Sequence, residues 1–172
     1  EETVGAATRV RDQLIEPRTN YLVGRVQQDV LAGNSRVGLL VTSVNRRDAE
    51  SAYTGGVDWD LRRSDGVYGI SGQIAGARAA TADGYAAQFS GGKRGGRLTG
   101  GVDITAISPG FDANDVGFIS RSDRLDVRAR VALRRLRPGG PIRRAEAPLT
   151  VASGWNYHGV NRSRSVVADV DV

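Results

Sequence analysis

The residues with most chemical potential are two acids spaced two apart. Asp58 and Asp60 fall in a segment that alternates polar and apolar side chains. Both carboxylates therefore share one face of a strand, about 7 Å apart at Cα for ~3.3 Å of rise per residue. Glycosidase carboxyl pairs sit roughly 5–9.5 Å apart. The match is cheap, because any alternating strand with two acids satisfies it, and acids beside arginines such as Arg62 are normally ionised pairs rather than an acid and its base. The sole histidine, His158, follows Tyr157. With neither a G-x-S-x-G elbow nor another local triad signature, it reads as an ordinary side chain near a strand end. No catalytic residue is assigned.

Two further segments invite ligand chemistry. Asp112-Ala113-Asn114-Asp115-Val116-Gly117, with Asp123 in twelfth position, resembles part of an EF-hand loop, but Val116 stands where a fifth-position oxygen belongs and no helical pattern flanks it. Turn chemistry is the better account: Asp and Asn side chains bond nearby backbone amides, Pro109 fixes φ, and Gly110 and Gly117 permit positive φ. Calcium at Asp112, Asn114 and Asp123 stays as the lesser reading, and otherwise neither cofactor nor metal is expected. Gly91-Gly92-Lys93-Arg94-Gly95-Gly96 lacks the Walker spacing and a following helix, so it reads as a hairpin turn. With no cysteine in the chain, disulfides, thiolate zinc sites and cysteine nucleophiles are excluded.

The elements that must position these residues are strands. Of the 172 residues 23 are glycine, faces of period 3.6 are absent, and a period of two recurs from Tyr21 onward. Leu22, Gly24, Val26 and Val30 alternate with Val23, Arg25, Gln27 and Asp29. A second strand is predicted over about Arg36 to Val44. Tyr53, Gly55, Val57, Trp59 and Leu61 face away from Asp58, Asp60 and Arg62. Further strands carry Tyr68, Ile70, Gly72 and Ile74, then Tyr85, Ala87 and Phe89, then Leu98, Val102 and Ile104 opposite Asp103. After a long segment from Ile107 to Ser122, Leu125, Val127, Ala129, Val131 and Leu133 oppose Asp126, Arg128, Arg130 and Arg134. Leu149 to Tyr157 and Val166 to Val172 complete about nine strands, with Pro138 to Pro148 read as a long connection. Ala32-Gly33-Asn34-Ser35 and Ser64-Asp65-Gly66 are turn signals.

A net charge of +5 comes from 24 basic and 19 acidic residues interleaved along the same segments, not from the stripe or tail with stacking aromatics that a nucleic-acid footprint needs. No segment reaches the ~18 apolar residues of a membrane helix, so any membrane crossing falls to strands. Persistent apolar/polar alternation in segments near the ~9–11 residues of a membrane strand, with aromatics Tyr21, Tyr53, Tyr68, Tyr85, Trp155 and Tyr157 near strand ends, predicts an all-β, antiparallel up-and-down transmembrane β-barrel. A start without Met and an end in mid-strand suggest a piece of something longer, with residues 1–17 a loop or hairpin remnant and residues 18–172 a barrel segment.

Several motifs occur in order: Pro17-Arg18-Thr19-Asn20-Tyr21-Leu22-Val23-Gly24-Arg25-Val26-Gln27-Gln28-Asp29, Gly33-Asn34-Ser35, Val44-Asn45-Arg46, Ala52-Tyr53-Thr54-Gly55-Gly56-Val57-Asp58, and Ser108-Pro109-Gly110-Phe111-Asp112-Ala113-Asn114-Asp115-Val116-Gly117-Phe118. On these the chain resembles a family of uncharacterised bacterial envelope proteins in which a domain similar to family-9 carbohydrate-binding modules precedes a C-terminal outer-membrane β-barrel. The resemblance implies a bacterial outer-membrane location, lipid as a partner, and a carbohydrate ligand held by an upstream domain. It implies no activity. The chain departs from that pattern between Ala77 and Tyr85, where such relatives carry a longer, aromatic-containing loop.

The expected function is a structural or transport-related barrel region. Arg25, Asp58, Asp60, Arg62, Asp103, Arg128, Arg130 and Arg134 are expected as lumen charges. Pro109, Phe111, Asp112, Asn114, Asp115 and Phe118 are expected in a constriction loop. The alternatives are part of a carbohydrate-active hydrolase with its chemistry elsewhere, and a soluble β-sandwich binding module, since a solvated sheet face shows the same alternation.

Overall fold

The computed structural model describes residues 18–47, 49–63, 65–79, 82–112, 119, 121–136 and 144–171. Residues 1–17, expected as a loop or hairpin remnant, lie outside them. Nine strands follow in order: β1 (Thr19–Val30), β2 (Ser35–Arg46), β3 (Ala52–Arg63), β4 (Tyr68–Ala79), β5 (Ala82–Lys93), β6 (Leu98–Ile107), β7 (Arg124–Leu136), β8 (Arg144–Trp155) and β9 (Asn161–Ala168). Each pairs antiparallel with its successor, so spatial order equals chain order in one up-and-down sheet. The sheet is open, with β1 and β9 as its edges.

Tight turns keep the strands consecutive. Between β1 and β2 the chain reverses through Leu31, Ala32 and Gly33 at φ of 52°, 60° and 84°, and the Gly33 N–H donates to the Val30 carbonyl at 3.2 Å. Asp65 and Gly66 do the same between β3 and β4 at 51° and 84°. Left-handed φ turns the backbone with the hand that twisted strands need, and glycine enters that region without a Cβ penalty.

Because side chains alternate along a strand, the registers decide what each face presents. One row from β1 to β8 reads Val26, Leu39, Val57, Ile74, Ala87, Ala106, Leu125 and Trp155, all apolar, and a bulge between Gly154 and Trp155 then sets Asn161 of β9 opposite Trp155. The adjacent row reads Gln27, Gly38, Asp58, Gln73, Gln88, Thr105, Asp126, Gly154 and Ser163, with no large apolar side chain. The strands thus join into one apolar face and one polar face.

Burial runs opposite to the water-soluble pattern. Large side chains of the apolar face stand open, Val26 at 69%, Ile74 at 50% and Leu133 at 63%. The buried hydrophobic residues of the strands are Val44, Ala52, Ala77 and Ala132, and the registers put all four on the polar face. A sheet that curls toward its polar side crowds small residues there and splays its outer face.

Three details differ from expectation. The Pro138 to Pro148 connection is shorter than predicted, because β8 already begins at Arg144. Pro148 is tolerated in that strand: its carbonyl accepts the Asp169 N–H, so its missing donor falls on the side of edge strand β9. Strand β9 ends at Ala168 rather than running through Val172, and Asp171 bridges to Glu146 instead. Tyr21 pairs with Val44 and so belongs to the polar face, whereas Tyr53, Tyr68, Tyr85 and Trp155 belong to the apolar one.

On the apolar face the Trp59 indole lies over Gly72, its partner in β4. A Cβ at position 72 would meet Trp59 Cζ2 at 2.5 Å and the Gln88 carbonyl at 2.6 Å. Gly72→Val is therefore expected to cost about 1–3 kcal/mol through overpacking and to shift tryptophan emission. Gly76→Ala, whose added Cβ meets only the Gly84 carbonyl at 3.9 Å, should do neither. Equal denaturation midpoints for the two variants would contradict the packing.

Candidate functional site

The eight charged residues expected as a group, Arg25, Asp58, Asp60, Arg62, Asp103, Arg128, Arg130 and Arg134, all fall on the polar face by register. They do not form an acidic wall opposite a basic one. The acids of β3 already have guanidinium partners on their own side of the sheet.

Arg25 Nη2 donates to both Asp58 carboxylate oxygens at 3.1 Å, although Arg25 is on β1 and Asp58 on β3. The pair crosses β2 above Gly38, where a Cβ would sit 2.6 Å from Asp58 Oδ2. Glycine in β2 is what lets the two strands beside it join hands. Asp60 accepts from Arg62 Nη2 at 2.7 Å and Nε at 3.2 Å, with Arg36 Nη2 at 3.7 Å. These pairs are part-solvated, and such pairs contribute about 0.2–1 kcal/mol each. Since each carboxylate is tied to its own guanidinium, Asp58 and Asp60 do not make a matched acid and base.

Strand β7 carries the surplus positive charge, and its anchor is Glu146 on β8. Glu146 is 5% exposed. Its Oε1 accepts from Arg130 Nη2 at 3.1 Å, and its Oε2 lies 3.0 Å from Arg134 Nε. Arg134 Nη1 also donates to the Arg94 carbonyl at 3.3 Å, tying β7 to the β5–β6 turn. Sequence reasoning missed Glu146 because it lies in the stretch read as a connection. The available signal was Ala145-Glu146-Ala147-Pro148-Leu149-Thr150, which does alternate.

Between the two charged groups, the polar face of β4 to β6 carries small or neutral side chains apart from Asp103. Gln73 Nε2 donates to Gln88 Oε1 at 3.3 Å, and Asp103 accepts from Ser90 Oγ at 2.6 Å rather than leaning on Arg128, its ladder partner.

The segment after β6 turns back onto the polar face. Ser108 N–H donates to the Tyr85 carbonyl and Ser108 Oγ accepts the Tyr85 N–H, both at 2.9 Å. Phe111 N–H donates to the Ser108 carbonyl at 3.2 Å, closing a turn through Pro109 and Gly110. The Gly110–Phe111 backbone rests directly on Gly84, where any side chain would collide with it. Phe111 is buried and Asp112 exposed. Asn114, Asp115 and Phe118 lie outside the described residues. Asp123 accepts the Tyr157 N–H at 2.9 Å, a capping role for one proposed calcium ligand. No cluster of three or more ligating acids or histidines occurs among the described residues. Tyr157 packs edge-on to Tyr85 with centroids 6.2 Å apart. Burial, with help from the Tyr85 hydroxyl, pushes its phenol up to about 12. His158 is exposed in the β8–β9 turn.

Glu146→Gln would leave two guanidinium groups without their counter-charge. The expected cost is about 1–2 kcal/mol, scaled down from a charged hydrogen bond because both arginines are part-solvated. A double-mutant cycle with Arg134→Gln should recover most of it as coupling. Asp60→Asn, on an exposed pair, should cost under about 1 kcal/mol. If Glu146→Gln is no costlier than Asp60→Asn in urea titrations, Glu146 is not the anchor described.

The sequence matches the family model described as Domain of unknown function (DUF5916) over residues 3–168. No curated protein and no solved structure matches the chain. The matched span includes all nine strands, and with them both charged groups and the Ser108–Phe111 turn. The chain is a member of the DUF5916 family.

Proposed function

We propose that this chain forms part of the wall of a bacterial outer-membrane β-barrel, its apolar face against lipid and its polar face lining the interior. The observation that carries the reading is the reversed burial: large apolar side chains on the open face, small buried ones on the polar face. Removing one large apolar side chain from water is worth about 1.5–3 kcal/mol. A face of such side chains left in water forgoes burial comparable with the ~5–15 kcal/mol net stability of an ordinary domain, and lipid would supply that burial. Strand lengths of 8 to 13 residues, mostly 12, suit tilted crossings of a hydrocarbon layer.

A closed wall is required in lipid because an open sheet edge leaves backbone groups unsatisfied there. The barrel of this proposal is completed by further strands along β1 and β9. Its role is structural or transport-related, in concert with an upstream sugar-binding-like domain, a part of the reading that rests on the motif resemblance from Pro17 onward. A soluble sandwich would need a second sheet over the apolar face, and all nine described strands lie in one.

Refolding the full-length protein into lipid vesicles tests the orientation. Val57→Arg and Val131→Arg, mid-strand on the apolar face, should each cost about 2–4 kcal/mol. Gln73→Arg, mid-strand on the polar face, should stay within about 0.5 kcal/mol of wild type. Equal costs on the two faces, or full solubility without detergent, would remove the barrel reading.

A further inference from the structure

Near one end of the polar face, Arg94, Arg130 and Arg134 line a cavity of about 380 Å³, with Asp103 the one carboxylate in the lining, while Lys93, opposite Tyr68, turns its side chain to the other face. The lining is unusually bare of other side chains in the middle. Gly69, Gly92 and Gly101 stand in one ladder row on β4, β5 and β6, and the row continues into Arg130 on β7. A Cβ at Gly92 would collide with the Gly100 carbonyl, so that part of the floor must stay empty. A solute can therefore reach the sheet surface between the arginines.

The arginines divide their work. Arg134 is committed, with Nη2 donating to Glu146 and Nη1 to the Arg94 carbonyl, and Nε in ion-pair contact with Glu146 Oε2 without a hydrogen bond. Arg130 gives Glu146 a single nitrogen, Nη2, which leaves the Nε and Nη1 donors available. The Arg94 guanidinium leans over Gly69, its carbon and Nη2 each 3.9 Å from where a Cβ would be. Asp103 accepts from Ser90 at 2.6 Å and, among the described residues, makes no ion pair with either arginine, so their free donors are not taken up by it. Glu146 and Asp103 offset two of the three guanidinium charges, so one positive charge remains. Guanidinium groups with free, planar N–H pairs match an oxyanion in both charge and geometry.

We propose that this cavity binds the oxyanion group of a small acidic solute, a phosphate or a carboxylate. Arg94 and Arg130 donate to it, while Glu146 and Arg134 are positioning residues that hold Arg130 and the Arg94 backbone in place. The inference deepens the barrel reading by naming the class of solute that the interior retains, and it uses only polar-face geometry.

Calorimetric titration of the detergent-solubilised full-length protein with inorganic phosphate and with acetate tests it. The expected result is saturable phosphate binding, weakened at least fivefold by Arg94→Gln and by Arg130→Gln and unchanged by Arg78→Gln, which removes the same charge elsewhere. Gly69→Gln keeps every charge but fills the floor, and should weaken binding as much. Absence of saturable binding for both anions overturns the proposal, as does equal weakening by Arg78→Gln, which would mean a diffuse field. Competition by phosphatidylglycerol vesicles but not phosphatidylcholine ones would assign the site to a lipid headgroup and overturn the solute assignment. A protein that binds phosphate yet stays soluble without detergent would defeat the barrel and leave the site standing. One that folds into lipid but binds neither anion would do the reverse.

Discussion

Side chains on a β-strand alternate between two faces, and seven successive antiparallel ladders in this chain keep that alternation in phase, while the eighth keeps it from Leu149 to Gly154 and slips at a bulge between Gly154 and Trp155. A slip of one residue in any ladder would exchange the faces of every strand beyond it. The Val26 to Trp155 row and the Gln27 to Ser163 row lie side by side, and neither breaks its polarity. The rest of the structure depends on that constraint: the apolar face is continuous through the middle of the strands, and the charged residues of mid-strand collect on the other face.

Glycine placement follows from the same geometry. Where side chains from flanking strands must cross a middle one, the middle residue loses its Cβ. Gly38 makes way for the Arg25–Asp58 pair and Gly154 for Asp126 and Ser163. These glycines weaken their strands intrinsically. What they permit are contacts between elements two strands apart, which consecutive pairing alone does not supply. The charged residues follow a similar economy. Exposed pairs in β1 to β3 neutralise one another, while the buried Glu146 collects two arginines from β7 and leaves that side of the polar face cationic.

Much of this was legible in the sequence. Alternation runs cleanly through β3 and β7, so their existence, their faces and the shared side of Asp58, Asp60, Arg128, Arg130 and Arg134 could be read directly. Turn chemistry placed Gly33 and Gly66. The partners of the charges were not legible, because which acid meets which arginine depends on register and on a glycine in the strand between them. The start of β8 was hidden by Pro148, whose missing N–H argues against a strand until the neighbouring edge is known to absorb it. Strand β9 was overrun because Val166, Ala168, Val170 and Val172 keep the period beyond the point where Asp171 turns to Glu146. The burial of Phe111 required knowing that Gly84 leaves it a seat.

The proposed orientation makes the two faces differ in solvent, and that difference can be read residue by residue along a single strand. Nitroxide labels at successive positions from Leu98 to Ile107, in the protein folded into lipid vesicles, would report collision with oxygen, which concentrates in lipid, and with a water-soluble nickel chelate. The account predicts strict alternation, with oxygen favoured at Leu98, Val102, Ile104 and Ala106 and the chelate favoured at Thr99, Asp103 and Thr105. The chelate reaching both sets equally would contradict it.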